Sequence, residues 1–346
     1  MMKKVVKQSV GIDVAQKELV VTFGRMYDDF SIEMHAYNVF KNNDPCIKAM
    51  VKWVKKLSIS ELSVQFVMEA TGVYHQKLAY YLDENAYKVS VVLPNKISNF
   101  FRTLEVKTIN DKTASEAIAR FGLERVLDQW KRPSELYKKL QQLTRERNQL
   151  VSERVVIKNQ LHAEQNEAHP NVSSIKRFKA RMKFINQQEK EVKQEIDTIV
   201  KSNKTLKEEI DRITTITGVG QLTAVIVLAE TNGFELIRNK KQLTSYAGLD
   251  VREKTSGTSV KGKPRISKKG NRNLRSAMHL PALSAIKHNE KFKGIYARLV
   301  SKDGIKMKGV VAVQRKILEL IYVLHKNKTV YQLDYDKNEK GTTSRS

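Results

Sequence analysis

Apolar positions along the chain change period twice, and the changes divide it into three parts. Val-rich, β-branched segments flank Gly11-Ile12-Asp13-Val14-Ala15-Gln16-Lys17, which predicts a hairpin over residues 5–24 with Asp13 on or beside its first strand. A third strand is expected at 32–39, a helix at 45–57, and a buried strand over Val64-Gln65-Phe66-Val67-Met68 that ends at Glu69. Leu78, Tyr81 and Leu82 have helical spacing, and residues 88–93 form a further strand stopped by Pro94. From Ile97 to about Trp130 the character is helical, broken at Thr108-Ile109-Asn110-Asp111, where Asn and Asp favour a turn or a helix cap. Asp111 is thereby placed at the opening of the helix that carries Ile118, Ala119 and Phe121. Strands followed by β/α alternation predict a mixed α/β domain over residues 1–130.

The second part, 134–213, follows 3-4 spacing. Leu136, Leu140, Leu143, Leu150, Ile157 and Leu161 form one seam; after His169-Pro170-Asn171, a second runs from Phe178 through Ile185, Val192 and Ile196 to Ile213. Ser134, just after Pro133, is the expected cap of the first helix. Two long helices joined by a proline turn make a long antiparallel coiled-coil hairpin, or seams for a partner chain, with Arg147, Arg154, Glu189 and Asn203 as polar interruptions that can fix register. Such an arm is a scaffold or a dimer contact, not a site of chemistry. The third part, 214–330, opens at Thr217-Gly218-Val219-Gly220 and reads as mainly α, with helices at 222–230, 240–249, 271–288 and 310–325; the polar tail 335–346 is expected to be disordered.

Charge narrows the partners. The 346 residues hold 63 Lys+Arg against 37 Asp+Glu, a formal net charge of +26, far beyond the needs of solubility and suited to a polyanion, with nucleic acid the default. Hydrophobic residues at 40% exclude a wholly disordered basic protein. The single Cys46 excludes an internal disulfide and a multi-cysteine zinc site, which fits a reducing cytoplasm. No apolar run reaches the ~20 residues that span a bilayer, so no membrane role is expected.

Two sets of residues suit phosphodiester chemistry. Hard divalent cations prefer oxygen ligands, and Asp13 on a first strand, Glu69 at a strand end and Asp111 at a helix start are carboxylates that folding can gather; each also reads as a solvated turn or cap acid. The stretch from Arg252 to Arg275 contains nine Lys/Arg and one Glu, which points to phosphate contact by Lys254, Lys261, Lys263, Arg265, Lys268, Lys269, Arg272 and Arg275. Ser256, beside Gly257 among these cations, is a candidate nucleophile for a phosphorus centre or a plain loop serine in a binding patch. The spacing of His162, His169, His279 and His288 suggests no metal site.

These motifs have a familiar order. Gly11-Ile12-Asp13-Val14-Ala15, Met68-Glu69-Ala70-Thr71-Gly72-Val73-Tyr74, Val91-Val92-Leu93-Pro94-Asn95 and Asp111-Lys112 with Ile118-Ala119-Arg120-Phe121-Gly122 resemble the N-terminal half of the DEDD transposases, bacterial insertion-sequence recombinases related to the Piv DNA invertases. Ile216-Thr217-Gly218-Val219-Gly220, Tyr246-Ala247-Gly248-Leu249-Asp250, Thr255-Ser256-Gly257 and the run from Arg265 to Arg275 resemble that family's C-terminal transposase domain. The resemblance runs from about residue 8 to 326. It implies a RuvC-like, RNase H-type N-terminal domain binding Mg²⁺ through Asp13, Glu69 and Asp111, a coiled-coil arm for a dimer or tetramer, and a nucleophilic Ser256. It further implies a composite site on double-stranded DNA built from the acids of one subunit and the serine of another, a structured bridge RNA as guide, and a nucleoid-associated location in a bacterium. One position departs from the family pattern: the fourth acid, three residues after Asp111, is Ala114. On the expected helix Glu116 points roughly 140° from Asp111 and is a poor substitute. Either three acids with DNA phosphates and water hold the metal, which is the expectation, or this copy binds it weakly and is impaired. The rival expectations are a RuvC-like nuclease in which Ser256 only binds DNA, and a non-catalytic basic coiled-coil DNA-binding protein.

Overall fold

The computed structural model describes residues 3–332 except 71, 107, 109, 236, 254, 257–259, 263 and 264, and leaves undescribed the side chains of 255, 256, 260, 261 and 303. The expected disordered tail at 335–346 lies outside the described residues. The chain forms two compact units, residues 1–132 and 133–346.

The N-terminal unit is built on a five-stranded sheet, with β1 (Val5–Val14), β2 (Glu18–Tyr27), β3 (Ile32–Lys41), β4 (Val64–Glu69) and β5 (Lys88–Val92) in the order β3-β2-β1-β4-β5. The first three strands form an antiparallel meander, while β4 and β5 run parallel to β1. The parallel pairings need crossovers, supplied by α1 (Asp44–Leu57) and by α2 (Gln76–Glu84). Alternation along the strands divides their side chains between two layers. Val10, Ile12 and Val14 pack with Ile47, Met50, Val51 and Val54 of α1 and Leu78 and Leu82 of α2. On the opposite face lies α4 (Asp111–Glu124), preceded by α3 (Pro94–Phe101), and Val67, Val92, Ile97 and Ile118 form a smaller core there. The mixed α/β expectation holds. Two details differ: β1 continues through Val14, leaving only residues 15–17 for the turn, and the chain is not helical between Glu124 and Trp130. Trp130 instead donates its backbone N–H to Val89 O at 2.7 Å and packs edge-on against Tyr80, so residues 128–130 follow the edge of β5.

The C-terminal unit begins with α5 (Glu135–Gln165) and α6 (Val172–Ser202), each 31 residues long. They run antiparallel: Lys139 meets Glu195 near one end, and Arg147 meets the buried Glu189 farther along. Glu189 also pairs with Arg154 and with Lys193, so the polar interruptions of the two seams answer one another. The second helix stops earlier than its periodicity suggests. Asn203 ends α6 and caps α7 (Lys204–Thr214), accepting from Leu206 N at 2.9 Å. Ser134 holds the cap position of α5 but makes no side-chain cap bond.

Beyond α7 follow α8 (Gln221–Glu230), α9 (Lys240–Tyr246), four short strands, α10 (Arg272–Ala277), α11 (His279–His288), α12 (Glu290–Asp303) and α13 (Lys306–Asn327). One apolar core runs from Leu140 and Ile196 on the long helices to Ile317 and Ile321 on α13. The helix expected over 271–288 is two helices hinged at Met278, and α12 adds a helix where none is expected. The strands β6 (Val251–Arg252), β7 (Thr255–Ser256), β8 (Val260–Lys261) and β9 (Arg265–Ile266) pair antiparallel as β6-β9 and β7-β8, so the basic segment folds back as a ribbon. Among the described residues no helix is long and apolar enough to cross a membrane.

Candidate functional site

The placement of the three acids follows from how closely α4 lies on β1. A Cβ on Gly11 would stand 2.1 Å from Ala119 N and 2.2 Å from Ser115 O, and one on Gly122 would stand 2.2 Å from Ser9 Oγ. Only glycine permits that approach at Gly11, because the obstruction is backbone. Ser9 meets Gly122 and Gly11 meets Ser115 and Ala119, so helix and strand run in opposite senses. A strand advances ~3.3 Å per residue and a helix ~1.5 Å. Two residues beyond Gly11, Asp13 therefore faces the first turn of α4, which begins at Asp111. The capping box that starts this helix uses Asn110 and Thr113, each side chain bonding the other's backbone N–H at 2.9 Å. Asp111 is free of that task.

Glu69 arrives from the neighbouring strand. The parallel register pairs Gly11 with Val67 and Ile12 with Met68, so the next step sets Glu69 beside Asp13 on the α4 face. Burial raises the Asp13 carboxyl above its ordinary value, and the charges of Asp111 and Glu69 push it further the same way. Among the described residues no three His, Cys, Asp or Glu side chains stand ready at metal-ligand positions. The acids thus form an electrostatic cluster rather than a closed cage. Their chemistry nonetheless fits a hard divalent cation: oxygen donors on one face, repelling one another, with one raised by burial and like charge.

The residues near the missing fourth acid have other occupations. Ser115 is fully buried and shares a 2.7 Å hydrogen bond with Thr22, while its hydroxyl also donates to Lys112 O. Glu116 points toward Lys112, 4.0 Å away. Neither side chain supplements the three acids.

In the C-terminal unit, Ser256 pairs with Val260 across β7 and β8. Lys254 and Lys263 lie outside the described residues, as do the side chains of Ser256 and Lys261. Arg252 and Arg265 face each other across β6 and β9, both exposed. Lys268, Lys269 and Arg272 are exposed as well. Arg275 differs: it is half-buried and donates to Ala247 O at 2.8 Å, which bolts the ribbon's base to the Tyr246-Ala247-Gly248 turn. The same base is closed by Asn271 N donating to Tyr246 O at 2.7 Å and Ser267 Oγ donating to Asp250 Oδ1 at 2.5 Å.

Sequence reasoning missed Glu230. It ends an otherwise apolar helix, where its position reads as a plain C-terminal polar residue. In the fold it is buried, paired with Arg145 and bonded by Asn271 at 2.7 Å and Asn273 at 3.1 Å. The Asn-Arg-Asn pattern at 271–273 is the only local trace of such a partner.

Comparison with known proteins sets these motifs in context. Residues 10–170 match the IS110-type DEDD transposase profile, and residues 210–297 match the "Transposase IS116/IS110/IS902 family" profile. The pilin gene-inverting proteins of Moraxella bovis and Moraxella lacunata are each 25% identical over 320 residues, covering 92% of this chain and 95% of theirs. An uncharacterized 43.6 kDa protein of insertion element IS110 from Streptomyces coelicolor is 27% identical over 120 residues, 35% of this chain and 29% of its own. Thermus thermophilus RuvC, solved with a Holliday junction substrate, aligns to 32% of this chain and 90% of its own at 13% identity, with a TM-score of 0.26.

Proposed function

The chain belongs to the IS110-type DEDD transposases, with both family domains present in order, and we propose that it breaks and joins DNA by attack of Ser256 on a backbone phosphate with the help of the Asp13–Glu69–Asp111 cluster. The observation that carries this reading is the gathering of three acids at one end of a mixed sheet, in a chain whose second unit presents a basic ribbon bearing a serine. The RuvC-like, RNase H-type identity of the first unit, suggested by its sheet order, belongs to the same proposal. So do the domain limits 1–130, 134–213 and 214–330.

Asp13, Glu69 and Asp111 would hold a divalent cation, Mg²⁺ in the simplest case. When bound, it supplies positive charge that stabilises the oxygens of the reacting phosphate. The rest is the work of the chain. Arg252, Arg265, Lys268, Lys269 and Arg272, with Lys254, Lys261 and Lys263, grip the phosphate backbone and favour the negative charge that builds on the phosphoryl oxygens. Ser256 Oγ loses its proton to solvent or a neighbouring base and forms a bond to phosphorus. The bond from phosphorus to the leaving sugar oxygen breaks, that oxygen is protonated, and the strand is left as a phosphoserine ester. Attack by the hydroxyl of another strand end releases the serine and completes joining. The phosphodiester count is conserved, so no external energy source is needed.

The acids of one copy and the serine of another form the composite site in this proposal, and α5–α6 serve as a coiled-coil arm that brings copies together. A structured bridge RNA reads the target by base pairing, which leaves the protein to hold backbones. Cleavage of element-junction DNA by wild type and Ser256→Ala tests the reaction. Loss of cleavage in the variant supports serine attack, whereas retained metal-dependent cleavage makes the protein a nuclease whose Ser256 only contacts DNA.

A further inference from the structure

A second basic surface lies away from the ribbon, between α9, the start of α12 and the last turns of α13. It is a cleft of about 880 Å³, large enough for more than one nucleotide. Its rim carries Arg238, Lys240, Lys241, Lys291, Lys316 and Lys326. Glu319 is the one carboxylate among its described lining residues, and it is engaged by Arg315 at 3.0 Å. Cations gathered on a concave wall repel one another and focus positive potential into the cleft, an arrangement that an anion relieves.

The floor has a different character. Half-buried Leu320, Val323 and Tyr331 and exposed Val330 line it, backed by the buried rings of Phe292 and Tyr322. Tyr331 is fixed in place, its backbone N–H donating to Thr215 Oγ1 at 2.9 Å and its hydroxyl 3.3 Å from Asn289 Nδ2. An apolar, partly aromatic floor under a cationic rim matches a strand whose bases are free to turn inward while its phosphates stay outside. A duplex keeps its bases stacked and paired, and so has nothing to place on that floor. None of the lining residues belongs to the Arg252–Arg275 segment.

We propose that this cleft binds a single-stranded segment of nucleic acid, with one or two bases on the floor and the neighbouring phosphates against Lys240, Lys241, Lys316 and Lys326. The inference rests on the reading of the chain as a nucleic-acid recombinase. Single-stranded DNA exposed during strand exchange and an unpaired stretch of RNA offer the same chemistry.

The test uses the full chain and short fluorescent oligonucleotides in three forms: single-stranded DNA, single-stranded RNA and duplex DNA. The variant is Lys240→Ala/Lys241→Ala/Lys316→Ala/Lys326→Ala, four exposed positions compatible with their helices. Its thermal melt should match wild type. Its affinity for at least one single-stranded form should fall tenfold or more, while duplex affinity stays within twofold. Its single-strand salt slope should shrink by up to about 3, since each neutralised phosphate contributes ~0.7. The strand that loses more identifies the source. Photocrosslinking of wild type to an oligonucleotide carrying a thio-substituted base gives a readout independent of the variant's folding, and adducts should map to the peptides containing Val323 and Tyr331. Equal single-strand affinity in variant and wild type, or crosslinks confined to the ribbon, would overturn the cleft while leaving the recombinase reading intact. Loss of binding to anionic lipid vesicles with single-strand binding retained would assign the cleft to a membrane surface. Failure of wild type to bind any of the three nucleic acids would remove both.

Discussion

Arg145 on α5 donates two hydrogen bonds to the buried carboxylate of Glu230 on α8, from Nε and from one terminal nitrogen, each 2.8 Å long. Asn271 and Asn273, flanking Arg272, and Gln141 on α5 also donate to the carboxylate. The Glu230 carboxylate therefore ties the first long helix, through Arg145 and Gln141, to the base of the basic ribbon. Burial alone would raise the Glu230 carboxyl, but Arg145, Asn271 and Asn273 outweigh it and hold it below the ordinary glutamate value.

Replacing Glu230 by Leu should cost about 1–2 kcal/mol in urea unfolding, because Gln141, both asparagines and the partly exposed Arg145 lose a charged acceptor. The sign with pH follows from the lowered carboxyl. Its contribution is present above the unfolded-state value of ~4.3 and is lost as pH falls through the lower folded-state value. Wild type and Glu230→Leu should accordingly converge in stability in strong acid. A gap that persists there would mean the effect is packing, not charge.

The acid cluster predicts a thermal response to metal. With Mg²⁺ at ~100 times its dissociation constant, wild type should gain about 2.7 kcal/mol. Asp13→Asn should be at least as stable as wild type without metal, since it removes a carboxylate raised by burial and by Asp111 and Glu69. It should gain much less on metal addition. Calorimetric melts of both proteins with Mg²⁺ and with chelator make the comparison, and equal metal-induced shifts would exclude Asp13 as a ligand.

Gly11→Ala should displace α4 from β1, since its Cβ would meet backbone atoms at 2.1 and 2.2 Å. The expected loss is on the order of 3 kcal/mol, together with most of the metal response, because α4 carries Asp111. Gly122→Ala should be milder: its contacts are side chains rather than backbone, the Ser9 hydroxyl at 2.2 Å, which can rotate, and a Val67 methyl at 2.8 Å, which must shift. Denaturant midpoints ranking the two in the opposite order would contradict the strand-on-helix placement of the acids.

The ribbon's arginines should separate by role. Arg265→Ala and Arg272→Ala, both at exposed positions, should each weaken duplex binding and lower the log–log salt slope by about 0.9, with little change in melting. Arg275→Ala should instead destabilise the unit, because its guanidinium is spent on Ala247 O. Binding isotherms at several salt concentrations, paired with melts, distinguish the two outcomes.

Much of the N-terminal unit was legible in the sequence because its strands alternate cleanly and its helix starts are marked by Pro45 and by Asn110-Asp111. The strand ends that carry Asp13 and Glu69 were legible for the same reason. What could not be read was the approach of α4, which depends on Gly11 meeting Ser115 and Ala119, and Gly122 meeting Ser9, across more than a hundred residues. In the second unit the 3-4 pattern runs through Asn203 without a break in period, yet the asparagine side chain caps a new helix there. Local patterns also concealed the β6–β9 and β7–β8 pairings, whose strands are two residues long. Glu230 escaped because the partners of its carboxylate lie 41 to 89 residues away in sequence.

Covalent trapping tests the central claim most directly. Wild type, Ser256→Ala and Asp13→Ala would be incubated with junction DNA, Mg²⁺ and the element's flanking RNA, then denatured and scored for protein–DNA adducts. Serine attack predicts an adduct in wild type, none in Ser256→Ala, and at most a trace in Asp13→Ala or with chelator; its dependence on the RNA reports the guide. An adduct of equal yield in Ser256→Ala, or metal-dependent cleavage in that variant with no adduct in any protein, would contradict it.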